Sequence, residues 1–252
     1  MTGQLTIVGL GPGPEGWVTP AASSVVGEAD VILGYTPYVN RLTPRAGQIL
    51  EASDNREELT RAERALELAA SGRRVAVVSG GDPGVFAMAA AVYEAVEKNP
   101  TAADGVDIRV EPGVTAMLAA AARIGAPLGH DFCAISLSDN LKSWATIERR
   151  LRLAAEADFV IALYNPASKA RPQQIKSAFE ILSGVLPAAT LVVFARAVGR
   201  PDEEIDIATL ATAADMACDM RTLVMIGSRA TRTVRASDGR SWVYTPRSER
   251  AR

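Results

Sequence analysis

The sequence contains few of the residues that build metal centres and covalent active sites. Its 252 residues include two cysteines, Cys133 and Cys218, which stand far apart and outside any CxxC pair, and a single histidine, His130. Four-thiolate zinc sites and iron–sulfur clusters need more thiols than this chain supplies. We therefore expect no metal site.

The chain also lacks a strong charge of either sign and any long apolar run. Its 27 Lys and Arg residues nearly balance 29 Asp and Glu residues, which leaves a formal net charge of −2. This balance gives no reason to expect a nucleic acid or a membrane as partner. No apolar run approaches ~18 residues, and the first residues do not resemble a secretion signal. We therefore expect a cytoplasmic protein.

What the chain has in quantity is an alternation of apolar strands with amphipathic helices. Apolar residues make up 48% of the sequence, as in ordinary globular proteins. The pattern predicts α/β structure in which each domain has a mostly parallel sheet flanked by helices. We expect a first α/β domain over 1–113, a second over 114–240, and an edge strand with a charged tail over 241–252.

The opening segment "TIVGLGPGPEGWVT" follows a predicted strand and is rich in glycine and proline. A dinucleotide-binding turn needs a third glycine five positions after the first, because the helix must begin close to the strand. Counted from Gly9, that position holds Pro14, and Pro12 removes an amide donor. The segment therefore does not match a dinucleotide site. A stiff loop supporting another ligand, or a plain strand–helix turn, remains open.

Further turns with small and polar residues follow other predicted strands. In "SGGDP", Gly80 and Gly81 allow a close backbone approach, and Asp82 either binds a ligand or caps the next helix. Thr115 in "EPGVTA" has the same two alternatives. Carboxyl ends of parallel strands are where open α/β sheets bind ligands. These turns, together with "SLSDNLKSW" and "ALYNPASKAR", indicate a ligand without phosphate, held mainly by backbone groups.

The resemblance to the tetrapyrrole methylases rests on four strings in this order: "VGLGPGPEGWVT", "GGDPGVF", "PGVTA" and "LYNP". It covers nearly the whole chain, to about residue 235. It implies the two-domain tetrapyrrole methylase fold, with S-adenosylmethionine in the cleft between the domains, S-adenosylhomocysteine as product and a homodimer. The cofactor-binding residues that it implies are Pro12, Gly80, Gly81, Asp82, Thr115, Ala116, Asn165, Ala197, Gly227 and Ser228.

Longer strings, among them "LGYTPYV", "GAPLGHDFCAISLSDNL" and "DMRTLVMIGS", resemble the branch of this family that acts in cobalamin synthesis. They imply methylation of carbon 17 of a tetrapyrrole, coupled to contraction of the macrocycle. Because the chain lacks the Cys-rich segment of some relatives, a metal-free substrate is favoured over a cobalt-containing one. A non-catalytic cofactor-binding or regulatory protein stays as an alternative. Other enzymes of the pathway are expected partners for product hand-off.

Ring contraction requires a group that moves a proton at the hydroxyl of the expelled meso carbon. The candidates are Ser136, Ser138 and Asp139, or His130, although a lone histidine is more often structural. The carboxylates of a tetrapyrrole require cations beside them. The substrate-binding candidates are Gly11, Arg41, Lys142, Lys169, Arg171 and Arg196, of which Lys169 and Arg171 have a solvated loop as their alternative.

Overall fold

The computed structural model describes residues 3–54, 56–168 and 170–248. They fall into two compact units, Met1–Thr115 and Ala116–Arg252. One candidate substrate ligand, Lys169, lies outside the described residues.

The first unit is built on a five-stranded sheet with the order β3-β2-β4-β1-β5. All four pairings are parallel, as the alternating pattern predicted. Its strands are β1 Gly3–Gly9, β2 Val31–Tyr35, β3 Ile49–Ser53, β4 Arg74–Ser79 and β5 Val106–Glu111. Its helices are α1 Pro20–Glu28, α2 Thr36–Val39, α3 Glu58–Ala70 and α4 Met88–Lys98, with 3-10 turns at Glu15–Trp17 and Pro100–Ala103.

Helices cover both faces of this sheet, which is why its central strands β1, β2 and β4 read as continuous apolar runs. Leu5 and Val77 pack with α3 and α4 on one face, while Val8 and Val78 pack with Ala22 of α1 on the other. The helices that follow the adjacent strands β1 and β4 thus lie on opposite faces. This arrangement is a topological switch point, and ligands bind outside the carboxyl ends of such strands.

The second unit contains two sheets. Its helices are α5 Ala116–Ile124, α6 Trp144–Glu156 and α7 Gln174–Ser183, with a 3-10 turn at Ala213–Asp215. Its strands are β6 Gly125–Ala126, β7 Phe132–Ser136, β8 Val160–Tyr164, β9 Leu191–Arg196, β10 Glu204–Thr209, β11 Thr222–Ile226, β12 Arg232–Arg235 and β13 Ser241–Tyr244. A large apolar core packs α6 and α7 against the five-stranded sheet.

The prediction of a mostly parallel sheet is wrong for this unit. The order is β10-β9-β11-β8-β7, and of its four pairings β7–β8 is parallel while the other three are antiparallel. Parallel neighbours need a long crossover, usually a helix. The connections from β9 to β10 and from β10 to β11 contain at most one 3-10 turn. Strand β10 alternates charged and apolar residues and was not predicted.

The prediction that 241–252 opens with an edge strand is also wrong. Strand β13 is the middle strand of a three-stranded sheet with the order β12-β13-β6. It pairs with β12 on one side and with β6 on the other, and its residue Val243 is 1% exposed. All four residues of β12 are exposed, so no apolar pattern revealed the neighbour.

Asp30 joins the starts of β2 and β4. Its carboxylate accepts hydrogen bonds from the Arg74 guanidinium, at 2.7 Å, and from the Arg74 backbone N–H, at 3.0 Å. These bonds lower the pKa of Asp30 to about 2. Because the folded pKa is depressed, the stabilisation is present at neutral pH and is lost as the pH falls from about 4 through about 2.

We expect Asp30→Asn to lower the free energy of unfolding at pH 7 by about 1 kcal/mol or less, since the pair is partly exposed. The difference between variant and wild type should shrink below pH 4 in urea titrations. An equal loss at pH 7 and pH 2 would show that the carboxylate charge is not responsible.

Candidate active site

The Gly/Pro loop, residues 9–14, turns its amides toward the neighbouring turn of its own sheet. Gly11 has a φ of +63°, and its N–H donates to the carbonyl of Gly81 at 3.1 Å. The N–H of Leu10 donates to the carbonyl of Ser79 at 2.9 Å. Pro12 has no N–H to offer. The loop is therefore not built to hold a phosphate, in agreement with the interpretation of its sequence.

Three turns at the carboxyl edge of the first sheet touch through their backbones. A Cβ at Gly9 would lie 2.7 Å from the Cα of Gly113 and 2.7 Å from the carbonyl oxygen of Gly81. A Cβ at Gly113 would lie 2.9 Å from the carbonyl carbon of Gly9. Real Cβ atoms do not approach so closely, so these contacts require glycine.

Asp82 connects two of these turns. Its Oδ1 accepts from the N–H of Gly84 at 2.8 Å, and its Oδ2 accepts from the N–H of Gly113 at 3.0 Å. The carboxylate therefore does not cap α4, which begins at Met88. Both oxygens hold the turns in place, whether or not a ligand also contacts them.

Arg41 lies against the Gly/Pro loop. Its guanidinium donates to the carbonyl oxygens of Leu10 at 2.8 Å, Gly11 at 2.9 Å and Gly13 at 2.9 Å. The neighbouring Tyr38 lies on the next turn, because a Cβ at Gly80 would be 2.6 Å from its ring. Neither contact could be read from the sequence, where "LGYTPYV" was only a family string.

In the second unit, the parallel strands β7 and β8 bring a polar cluster together at their carboxyl ends. Asn165, in the left-handed region at a φ of +52°, donates from Nδ2 to Ser136 Oγ at 3.0 Å. The N–H of Ser138 donates to the same oxygen at 3.3 Å. Ser136 is 5% exposed, so these contacts fix its hydroxyl. Three predicted site residues thus meet.

Asp139 and Arg171 extend this cluster. Gln174 Nε2 donates to Asp139 Oδ2 at 3.2 Å, and Arg171 Nε lies 3.9 Å from Asp139 Oδ1. Arg171 also donates to the carbonyl of Leu137 at 3.5 Å, and its side chain is 11% exposed. The guanidinium is therefore mostly buried but held by long contacts. This excludes the solvated-loop alternative for Arg171.

Two further residues contribute polar groups here: Tyr164, which the sequence places at this sheet edge without a role, and Gln174, which the sequence does not single out. The phenolic oxygen of Tyr164, the last residue of β8, accepts from the Met117 N–H at 3.1 Å in the first turn of α5. It thereby satisfies a helix N-terminal amide. Its place in "LYNP" was the available signal, whereas nothing in the sequence distinguished Gln174 from any residue at the start of a helix.

Arg196 is paired with carboxylates instead of standing ready for a ligand. Its Nε donates to Asp219 Oδ2 at 2.9 Å, and Asp202 and Glu204 lie 3.5 and 3.8 Å from NH1. Partial burial raises the pKa of Asp219, but hydrogen bonds from Arg196 and Thr222 outweigh it and leave this pKa lowered. The next residue, Ala197, adopts a φ of +51° at the end of β9.

Three predicted site residues lie at the opposite edge of this sheet. His130 precedes β7 and is thus separated from Ser136 by the whole strand, about 16 Å at ~3.3 Å per residue. Gly227 follows β11, which runs antiparallel to β9, and its N–H donates to Leu191 at the start of β9. Ser228 lies beside it. These three residues therefore do not share an edge with the polar cluster, and the cofactor contacts that the resemblance implies for Gly227 and Ser228 stay predictions.

Burial raises the pKa of both Cys133 and Cys218 to about 11, so neither thiol is a ready nucleophile.

The remaining candidates occupy loops or helix starts. Burial, followed by repulsion from Arg150, lowers the pKa of Lys142 in the loop before α6. Thr115 is buried directly before α5, and Ala116 is the first residue of that helix.

Two kinds of feature are absent from the part of the chain that the structure describes. Within 3–54, 56–168 and 170–248, no group of three or more His, Cys, Asp and Glu side chains is placed to hold a metal ion. No helix in the same ranges has the length and apolarity to cross a bilayer.

The chain belongs to the tetrapyrrole (corrin/porphyrin) methylases, whose family model matches residues 4–214. Members of this family use S-adenosylmethionine, so the chain is a methyltransferase dependent on that cofactor. It is 60% identical over 247 residues to the precorrin-3B C(17)-methyltransferase of Sinorhizobium sp., covering 98% of this chain and 97% of that one.

Two further similarities are informative. The crystal structure of the methyltransferase CobJ matches with a TM-score of 0.91 and 55% identity, covering 97% of this chain and 100% of that one. The cobalt-factor III methyltransferase of Priestia megaterium is 39% identical over 233 residues, covering 92% of this chain and 43% of that protein. The similarity is thus greater to the precorrin-3B enzyme than to this cobalt-factor III enzyme.

We expect Gly113→Ala to disturb all three glycine turns, because the added Cβ meets the backbone of Gly9 and Gly81. It should lower the free energy of unfolding by about 1–3 kcal/mol and weaken binding of S-adenosylhomocysteine in calorimetry. Gly27→Ala is the control, since a Cβ there meets nothing within 4 Å and lies on α1. A Gly113→Ala protein that binds and unfolds like Gly27→Ala would contradict the contact.

Proposed function

We propose that the protein methylates carbon 17 of precorrin-3B and contracts the macrocycle to give precorrin-4, a step of cobalamin biosynthesis. The observation that carries this proposal is the 60% identity to a precorrin-3B C(17)-methyltransferase over 98% of the chain. The polar cluster at the ends of β7 and β8 supports it, because it combines an arginine for carboxylates with groups that can move a proton.

The first sheet supplies a suitable environment for the cofactor. S-adenosylmethionine, when bound, supplies an electrophilic methyl group on a positively charged sulfur. Its adenosyl and methionyl groups carry no phosphate, which fits a Gly/Pro loop whose amides of Leu10 and Gly11 are already used. We propose that it is held by the residues Pro12, Gly80, Gly81, Asp82, Thr115 and Ala116. From the resemblance, Asn165 and Ala197 stay proposed as further contacts.

Gly11 and the prolines beside it have a different proposed role. They form a stiff wall that orients the tetrapyrrole, so that the carbon to be methylated is aligned with the methyl group. Holding two reactants in line provides much of the rate acceleration of such a transfer. Lys142 and Lys169 stay proposed as cations for the substrate carboxylates, whereas the carboxylate partners of Arg196 make it a weaker candidate.

For ring contraction, the cluster offers one acceptor and one donor. The Asp139 carboxylate is oriented by Gln174 and lies beside Arg171, so it is suited to accept the hydroxyl proton of the meso carbon. Ser136 Oγ accepts from Asn165 and Ser138, which leaves its own proton as a donor. We propose Asp139 as the base, with Ser136 and Ser138 orienting the substrate hydroxyl.

Asp139→Asn should lower the rate of ring-contracted product formation by about 10²- to 10⁴-fold, the usual contribution of a general base. His130→Ala is the control and should retain the wild-type rate, since His130 lies at the other edge of the sheet. The measurement is absorbance and mass spectrometry of the product. Wild-type turnover in Asp139→Asn, or a loss confined to His130→Ala, would refute the assignment.

Arg171→Ala should raise the KM for the tetrapyrrole at least about tenfold, because a bidentate carboxylate contact is lost. The KM for S-adenosylmethionine should change little. Arg152→Ala removes a comparable charge from an exposed pair with Glu148 and serves as the control. An unchanged tetrapyrrole KM in Arg171→Ala would remove this residue from the substrate site.

Parallel assays with metal-free and cobalt-loaded substrate test the reaction itself. Turnover of the metal-free precorrin alone is the expected result, and turnover of the cobalt form alone would favour the anaerobic route. Calorimetric binding of S-adenosylhomocysteine without turnover of either would favour a regulatory role.

We also propose that the protein acts in the cytoplasm as a homodimer and passes its product to another enzyme of the pathway. Sedimentation of the protein, alone and in mixtures with that enzyme, can test the dimer and the hand-off.

A further inference from the structure

One short segment of the first unit contacts both loops of the candidate site. The segment Thr36–Arg41 contains α2 and the two residues after it. Through Arg41 it donates to carbonyl oxygens of the Gly/Pro loop, and through Tyr38 it packs on Gly80 of the "GGDP" turn. We propose that this segment, here called the clasp, positions the two loops, with Arg41 and Tyr38 as positioning residues and not as ligands.

The contacts of Arg41 are what the Gly/Pro loop needs to keep its shape. The carbonyl oxygens of Leu10, Gly11 and Gly13 all point at one guanidinium, at 2.8–2.9 Å. Carbonyl dipoles that converge in this way repel each other unless a cation lies between them. A guanidinium has five donors in a planar fork and can serve three acceptors, whereas a lysine ammonium is a compact point charge.

Tyr38 places the second loop. Ring atoms of Tyr38 occupy the space that a Cβ of residue 80 would need, at 2.6 and 2.8 Å. The ring is itself set by an edge-to-face contact with Tyr35, with 5.4 Å between ring centroids. The start of the clasp is attached to β3, because the Thr36 hydroxyl donates to the carbonyl of Ser53 at 3.2 Å. The clasp thus holds both loops against the sheet edge.

The two loops also depend on each other. The N–H of Gly11 donates to Gly81, and the N–H of Leu10 donates to Ser79, so the clasp closes a pair of loops that are already joined. Loosening Arg41 should therefore be detectable in these two amides even without substrate. If Arg41 instead served only to bind a carboxylate of the substrate, its replacement would leave both amides protected from exchange.

The proposal for the clasp depends on the proposed function only in those tests that measure activity. Arg41→Gln should lower kcat/KM for precorrin-3B by about 100-fold, mainly through kcat, since a misplacement of about 1 Å is costly for an aligned reaction. Arg41→Lys should recover part of this loss. Hydrogen exchange of the Leu10 and Gly11 amides should become faster in Arg41→Gln.

Arg45→Gln is the matched control. Arg45 also donates to three successive backbone carbonyls, those of Gly27, Glu28 and Ala29, but at the end of α1. We expect Arg45→Gln to lower Tm about as much as Arg41→Gln does. It should not change kcat or the exchange rate of the Leu10 and Gly11 amides. If Arg41→Gln and Arg45→Gln behave alike in all three measurements, the clasp is wrong.

Tyr38 has its own pair of variants. Tyr38→Ala should weaken S-adenosylhomocysteine binding on the order of tenfold, because the "GGDP" turn loses its support. Tyr38→Phe keeps the ring and should bind as wild type does. Equal binding by Tyr38→Ala and Tyr38→Phe would overturn this half of the proposal.

Two outcomes separate the clasp from related hypotheses. If Arg41→Gln raises only the tetrapyrrole KM and leaves kcat and amide exchange unchanged, Arg41 is a substrate ligand and the clasp is wrong. If wild type does not methylate precorrin-3B, the proposed function fails. Amide exchange and calorimetry then still decide whether the clasp exists.

Discussion

The first unit depends on the direct backbone contact between three glycine turns. Gly9, Gly81 and Gly113 approach so closely that a Cβ at Gly9 or Gly113 would overlap a neighbouring main chain. Asp82 fastens the contact through the N–H of Gly113. Once the turns are joined in this way, the amides of Leu10 and Gly11 are used inside the protein. A ligand at this edge must then be recognised by groups other than a phosphate-binding amide nest, which suits a methyl donor without phosphate.

The second unit differs from the first in the groups that form its polar edge. Its polar edge is made of side chains, with Ser136 and Asn165 fixed by hydrogen bonds and Arg171 mostly buried beside Asp139. Side chains are needed where carboxylates must be recognised and a proton must move, since backbone amides supply neither a full positive charge nor a base. The positive φ of Asn165 is a local cost that the surrounding contacts sustain.

The central strands β1, β2 and β4 of the first sheet could be predicted because helices bury both of their faces and the strands are plainly apolar. The edge strand β3 was missed, because its short segment is partly exposed and has no such apolar run. The second sheet could not be predicted, because strand direction depends on connections and not on the composition of the strand. Polar turns look alike at either end of a strand. The sequence therefore names His130 beside Ser136 as a candidate although a full strand length separates the two, and the alternating charges of β10 conceal that strand.

Residue type alone also could not show which of the candidate cations already have strong partners inside the protein. Arg41, Arg171 and Arg196 all follow or precede predicted strands, yet the structure gives each a different kind of partner. Arg196 is paired with Asp219, Asp202 and Glu204, and Arg41 donates to loop carbonyls. The contacts that the described residues make with the Arg171 guanidinium are long. The hydrogen-bond partners Asp219 of Arg196, Leu10 of Arg41 and Leu137 of Arg171 lie 23, 31 and 34 positions away along the chain, and the last two are backbone oxygens that no sequence pattern marks. A guanidinium that is buried yet loosely held gains most from an incoming carboxylate, because its desolvation is already largely complete before the ligand arrives. By that reasoning we propose Arg171, and not the better-bonded arginines, as the cation that the fold keeps available for a substrate.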